Sequence, residues 1–140
     1  GWQAELRSLR HYLRRHRGKD RKAGRGLVNT TLPREAAWAR LVGPDGYRVT
    51  PPAPREGEPY EVVTPDGRRY SGTIELSLPG MTLAGTVREL EDGWFRLLTW
   101  RDARGSTGVW AWLAAYTGDA TPVREFGEAA QRSLEALFPS

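Results

Sequence analysis

The sequence predicts an α+β domain in which a meandering antiparallel sheet is closed by a C-terminal helix. Three observations point there. Five runs that read as strands, 60–64, 68–78, 81–90, 94–102 and 107–117, follow one another with only short turns between them. Those turns are Pro65-Asp66-Gly67, Pro79-Gly80, Asp92-Gly93 and Arg104-Gly105, the composition that tight hairpins need. Residues 122–138 then set Val123, Phe126, Ala130, Leu134 and Leu137 on one stripe at helical spacing, and such a stripe needs a sheet face to cover it.

Taken in order, residues 2–16 read as an extra N-terminal amphipathic helix, with Trp2, Leu6, Leu9 and Leu13 recurring at helical spacing and arginines on the other side. Residues 17–25 read as a basic, glycine-punctuated linker, and 26–140 as the domain proper. Leu27 to Leu32 is a short strand. Pro33 suits a first helical turn, Trp38 and Leu41 share a helix face, and Gly43-Pro44-Asp45-Gly46 ends that helix. The stretch 50–59, with four prolines, reads as a loop or irregular edge. The closing helix starts at Pro122 with Thr121 as its N-cap.

Side chains alternate across a strand, so each turn fixes a register and a face. A three-residue turn at Pro65-Asp66-Gly67 sets Val62 opposite Tyr70 and Tyr60 opposite Gly72. A two-residue turn at Pro79-Gly80 sets Leu76 opposite Leu83 and Ile74 opposite Gly85. Carrying on through Asp92-Gly93 sets Val87 opposite Leu98, Gly85 opposite Trp100, and Glu89 opposite Arg96. The predicted inner face is then Tyr60, Val62, Tyr70, Ile74, Leu76, Leu83, Val87, Leu98 and Trp100, with Gly72 and Gly85 leaving space on it. In the last strand both faces are apolar. Either Trp110, Trp112 and Ala114 or Val109, Ala111 and Leu113 can turn inward.

Composition narrows the chemistry. The 140 residues suffice for one domain with its own core. With no cysteine, disulfides, thiolate catalysis and Cys-ligated zinc are excluded, and a cytoplasmic location is expected. No run approaches a membrane-spanning length. The net charge of +4 divides unevenly: residues 1–25 hold nine basic side chains against two acids, and the rest twelve arginines against fifteen acids.

The stretches Gly57-Glu58-Pro59-Tyr60, Pro65-Asp66-Gly67-Arg68-Arg69-Tyr70-Ser71-Gly72-Thr73-Ile74 and Leu78-Pro79-Gly80-Met81-Thr82-Leu83-Ala84 resemble the "G-x-x-Y … DG … xGxI … P-x-x-LA" run of SRPBCC (START-like) proteins. Within these proteins the stretches most resemble the homologues of the heat-shock-chaperone ATPase activator. Glu35 to Leu41 resembles that family's "VWxxL" helix, and Gln131 to Phe138 its closing helix. The resemblance implies a helix-grip fold over about residues 27–138. Gly1-Trp2, Leu6, Leu9 and Tyr12-Leu13 resemble the end of such a domain, which implies a preceding domain of the same kind in a tandem protein; the prevalence of Arg over Lys with abundant Ala and Gly points to a bacterial source.

Family members hold hydrophobic ligands between sheet and C-terminal helix, or act as cyclases, or bind chaperones. The resemblance and the aromatic inner face together predict a non-catalytic binding domain for a small hydrophobic molecule. Its expected lining is Trp38, Tyr60, Tyr70, Ile74, Leu76, Leu83, Val87, Leu98, Trp100, Trp110, Trp112, Phe126 and Ala130. These rings can equally just fill the core. No cofactor, metal or catalytic residue is expected, since His11 and His16 lie outside the domain body and share no helix face. Glu61, Glu75, Glu89, Tyr60 and Tyr70 are the groups nearest the sheet for acid–base work, and the glutamates read as solvated.

Two alternatives stand beside this. One is a chaperone-cofactor-like interaction module with a filled core, meeting a protein partner or a second copy through Trp2, Leu6, Leu9 and Leu13. Phe95, Leu97, Val109 and Leu113 are the predicted outer sheet face that this stripe would cover, within a chain or between two chains. The other is nucleic-acid contact through the basic arm 14–25, disfavoured because no aromatic interleaves its arginines.

Overall fold

A computed structural model describes residues 21–116 and 118–139. The predicted helix at 2–16 and the predicted linker as far as Asp20 lie outside the described residues. In chain order the elements are β1 (Lys22–Thr30), α1 (Arg34–Leu41), β2 (Arg48–Thr50), β3 (Pro59–Val63), β4 (Arg69–Leu78), β5 (Thr82–Val87), β6 (Gly93–Arg101), β7 (Thr107–Ala115) and α2 (Thr121–Leu137). All neighbouring strands are antiparallel, in one sheet of order β1-β7-β6-β5-β4-β3-β2. The helix-grip fold is therefore present, with both helices on one face.

The predicted stripe of α2 is the one that packs: Val123, Phe126, Ala130 and Leu134 are buried in the main core, and Leu137 lies against it. Its seat is backbone on backbone. A Cβ at Gly24 would stand 1.8 Å from the Val123 carbonyl oxygen, and one at Gly26 would stand 2.6 Å from the Ala130 carbonyl carbon. Only glycine lets the helix lie that close to β1. Alongside them the Gln131 carboxamide accepts from the Leu27 N–H (2.9 Å) and donates to the Leu27 carbonyl (3.0 Å), pairing with β1 as a further strand would.

Several boundaries differ from the expectation. β1 begins at Lys22, so Lys22–Arg25 are strand rather than linker, held by rungs from Lys22↔Ala115 to Arg25↔Trp112. β2 adds a three-residue strand that pairs with β3. The N-cap position of α2 is Ala120 rather than Thr121, with no side-chain cap; just before it the Asp119 carboxylate accepts from both the Thr121 N–H and hydroxyl at 2.9 Å.

Register decides which side chains face the helices. The Pro65-Asp66-Gly67 turn is as predicted, with Val62↔Tyr70 and Tyr60↔Gly72. At the next hairpin the turn holds three residues, because Met81 N–H bonds the Leu78 carbonyl and Leu78 pairs with Thr82. A bulge between Ile74 and Leu76 absorbs the extra residue. Ile74↔Gly85 thus holds, but Leu76 pairs with Ala84 and turns to the outer face. Beyond Val87 the chain makes a 3₁₀ turn at Arg88–Leu90, and Glu91 and Asp92 take positive φ (52° and 63°) before Gly93 returns opposite Val87. This five-residue connection shifts β6 by an odd number from the predicted register and inverts it. Phe95 and Leu97 point to the helices, and Trp94, Arg96, Leu98 and Trp100 point away.

In β7 the ambiguity resolves the same way, with Val109, Ala111 and Leu113 in the main core. Three rungs describe the outer face: Leu27–Trp110–Leu98–Thr82–Leu78, Arg25–Trp112–Arg96–Ala84–Leu76, and Ala23–Ala114–Trp94–Thr86.

Candidate functional site

Between sheet and helices the space is filled. Tyr47 and Phe95 rings lie 6.3 Å apart, Phe95 and Phe126 6.2 Å, and Tyr70 and Phe126 6.1 Å, the last two edge to face. The room expected over Gly85 is taken by the Tyr60 ring, one carbon of which lies 2.7 Å from where a Gly85 Cβ would stand. Tyr60 is locked there by a 2.7 Å hydrogen bond from its hydroxyl to the buried Thr86 carbonyl. Burial pushes the Tyr47, Tyr60 and Tyr70 hydroxyls up, away from any range in which they would serve as bases near neutrality.

Where the filled core ends, a groove opens between α1, the β3–β4 turn and the C-terminal half of α2. Its volume is about 800 Å³, within the range of small-molecule sites. Ala36, Ala39, Gly43, Pro44, Pro65, Ala136 and Leu137 supply small apolar walls, with Arg40, Asp45, Asp66 and Ser133 among them. Its walls are held from both sides. Arg40 donates to the Leu137 carbonyl (3.3 Å) with its guanidinium 5.8 Å from the Phe138 ring centroid, tying α1 to the end of α2. Arg68 bridges Asp66 (3.2 Å) and Glu125 (3.5 Å), tying the β3–β4 turn to α2. Sequence reasoning did not find this groove, because its walls are alanines and prolines from three separate segments with no chemical signature.

The predicted lining residues divide between two faces. Tyr60, Tyr70, Ile74, Leu83, Val87, Phe126 and Ala130 meet in the main core, and Trp38 packs against it partly buried. Leu76, Leu98, Trp100, Trp110 and Trp112 do not join them, because the β4 bulge and the longer β5–β6 connection turn Leu76 and the outward residues of β6 away, and β7 follows β6. The four residues assigned to the outer face, Phe95, Leu97, Val109 and Leu113, are likewise corrected to the core.

The acid–base candidates are engaged. Glu61 pairs with Arg69 at 2.9 Å. Glu89 sits beside β4 rather than opposite Arg96. Burial opposes its ionisation, but the Ser71 N–H (2.8 Å) and hydroxyl (2.6 Å) hold its carboxyl below the usual range. Among the described residues no three His, Cys, Asp or Glu side chains gather as a metal site, and no helix is long and apolar enough to cross a membrane.

On the outer face lies a smaller, basic and aromatic hollow of about 330 Å³, lined by Arg21, Ala23, Gly24, Arg25, Arg96, Trp110 and Trp112. Arg21 stacks 5.2 Å from the Trp112 ring centroid and Arg96 5.1 Å from that of Trp110.

Solved structures share this architecture. CalU16 from Micromonospora echinospora superposes with a TM-score of 0.57 at 16% identity, over 86% of each chain. DynU16, from the dynemicin biosynthetic locus, gives 0.59 at 14% identity over 84% of this chain, which spans 49% of DynU16. The Aha1 dimer from Colwellia psychrerythraea gives 0.53 at 8% identity, over 82% of this chain and 89% of that one. The chain has the helix-grip fold. No protein-family model and no curated protein matches the sequence.

Proposed function

We propose that this is a non-catalytic binding domain that takes a small hydrophobic molecule in the groove between α1 and α2. The observation that carries the reading is that groove, about 800 Å³ and walled by small apolar residues, at the margin of a core whose interior is already occupied by its own rings. A ligand held there lies against the C-terminal half of α2 rather than deep beneath it. Glu61, Glu89 and Tyr60, among the groups nearest the sheet, are committed to an ion pair or structural hydrogen bonds, which supports binding over turnover. Within the START-like class, the Gly57–Tyr60 and Leu78–Ala84 stretches support the branch of chaperone-ATPase-activator homologues. The cysteine-free composition supports a cytoplasmic setting.

Native mass spectrometry of protein purified from expressing cells tests this, with Ala136→Trp as the partner sample. Ala136 is exposed in the groove, so the substitution fills it without disturbing the core. The expected result is an adduct, or saturable anilinonaphthalene sulfonate fluorescence, in the parent chain that drops at least tenfold in the variant. Equal signals from both, or none from either, would overturn the assignment.

A further inference from the structure

Side chains alternate along a strand. Gly24 and Gly26 lie under α2, so Arg25 and Leu27 stand on the outer face of the sheet, in the rungs of Trp112 and Trp110. Arg21 keeps the same phase, and its guanidinium lies 5.2 Å from the Trp112 ring centroid. The end of the basic stretch is therefore set among tryptophans by strand pairing, although no aromatic lies near it in the sequence.

Two hollows adjoin here. The basic one, of about 330 Å³, has Arg21, Arg25, Trp110 and Trp112 in its walls. The second, of about 260 Å³, is lined by Leu27, Leu98, Trp100 and Trp110, with Arg25 at its margin. Arg25 and Trp110 belong to both, so the two form one depression, cationic at one end and apolar at the other. Its apolar end depends on Gly108: a Cβ there would stand 2.2 Å from the Trp100 ring, so only glycine lets that indole rest on the β7 backbone. Arg21, Arg25 and Leu27 are exposed, and among the described residues no carboxylate is ion-paired with either arginine. Joined, the hollows reach the ~300–1,000 Å³ of small-molecule sites. A nucleic-acid strand would need open ring faces for its bases. Here Arg21 lies over Trp112, and Trp112 in turn lies 5.7 Å from Trp110, ring to ring, which favours a small ligand over a strand.

We propose that this depression is a second binding site, on the opposite face of the sheet from the groove between α1 and α2, and that it takes a small anionic amphiphile: a carboxylate, sulfonate or phosphate ester on a compact apolar body. The anionic head lies between Arg21 and Arg25, and the body lies against Leu27, Leu98, Trp100 and Trp110. Stacking on Trp112 holds the planar guanidinium of Arg21 in place before the ligand arrives. The two sites fill independently, since the whole thickness of the sheet separates them.

Titration calorimetry with decanoate, which joins one carboxylate to one apolar chain, tests this in the Ala136→Trp background, where the groove is filled. The expected result is saturable binding there, weakened at least tenfold when Arg21→Gln and Arg25→Gln are added. Decyltrimethylammonium, a like chain with the opposite charge, should bind at least tenfold more weakly than decanoate. Both arginines are exposed, so their replacement leaves the fold intact, and an unchanged Tm verifies that. Added salt gives a readout without a variant, because it screens exposed charge pairs and should lower decanoate affinity. No saturable binding in Ala136→Trp would overturn the proposal; if the parent chain still binds, decanoate belongs to the groove and only the second site falls. Binding that ignores the arginine changes, or equal binding of the cationic chain, would overturn it too. Displacement of decanoate by a single-stranded oligonucleotide would overturn it in favour of nucleic acid.

Discussion

The two faces of this sheet are built by the same strands and solve burial in opposite ways. The inner face is smoothed for contact. Gly24 and Gly26 take a helix onto bare backbone, and alanines and medium aliphatics run along β7 beneath it. The outer face is rough, with Trp94, Trp110 and Trp112 standing up and two of their indole neighbours being guanidiniums. A helix held at backbone distance needs one fixed position. A surface of tall rings and long cations accepts a partner through its side chains, with more tolerance for small shifts. The difference teaches that the position of the grip helix is set by the glycine seat, whereas the outer face leaves no such backbone-level mould.

The largest effect that would probe this contrast is truncation of one anchor on each face. Phe126→Ala is expected to cost about 3–5 kcal/mol. Trp94→Ala costs a comparable amount in the full chain, if the outer face is as well packed as its burial indicates. Chemical denaturation of both variants reads the comparison, and a Trp94→Ala cost below about 1 kcal/mol would make the outer face a mere surface.

A smaller effect comes from the seat. Gly24→Ala sets a methyl against the Val123 carbonyl and forces α2 off β1, at a cost near the ~3 kcal/mol upper end for overpacking. The matching change on the outer side of the same strand, Ala23→Gly, costs about 1 kcal/mol or less. Equal losses would show that the helix position is not set by glycine.

The smallest concerns Tyr60. Tyr60→Phe leaves the Thr86 carbonyl without its 2.7 Å partner, for about 1–3 kcal/mol. The same ring gives a pH signature. Because burial raises the folded-state pKa of Tyr47, Tyr60 and Tyr70, their contribution is complete below the unfolded tyrosine value of about 10 and is lost as the pH rises above it. Stability should fall in alkali, less steeply in Tyr60→Phe, with tyrosinate absorbance appearing together with unfolding. Free titration of these three tyrosines in folded protein would contradict the packing.

Element order, the α2 stripe and the first hairpin were readable from the sequence because each depends on local signals: a period of 3.6, a proline at a helix start, a glycine at positive φ in a three-residue turn. The outer strands were not. A bulge at Glu75 and a 3₁₀ turn at Arg88–Leu90 leave no mark in the apolar pattern, since Leu76, Trp94 and Leu98 read as core residues on either face. With both faces of β6 and β7 buried, alternation carries no information about direction. The ligand list inherited that error, so its β3, β4, β5 and α2 members meet in the core except Leu76, while its β6 and β7 members face the other way. The groove escaped for the opposite reason, being assembled from residues with no pattern at all.

The pairing of Gln131 with Leu27 reaches beyond the stability of one helix. β1 is the outermost strand at one margin of the sheet, and an unoccupied strand margin is a template on which further chains can polymerise. A carboxamide that accepts from and donates to the Leu27 backbone imitates that next strand and then stops, since it has no second margin to offer. At the opposite margin β2 is only three residues long, too short to seed growth. One glutamine at Leu27 and a three-residue β2 thus leave each margin of the described sheet with less free backbone to offer a further strand.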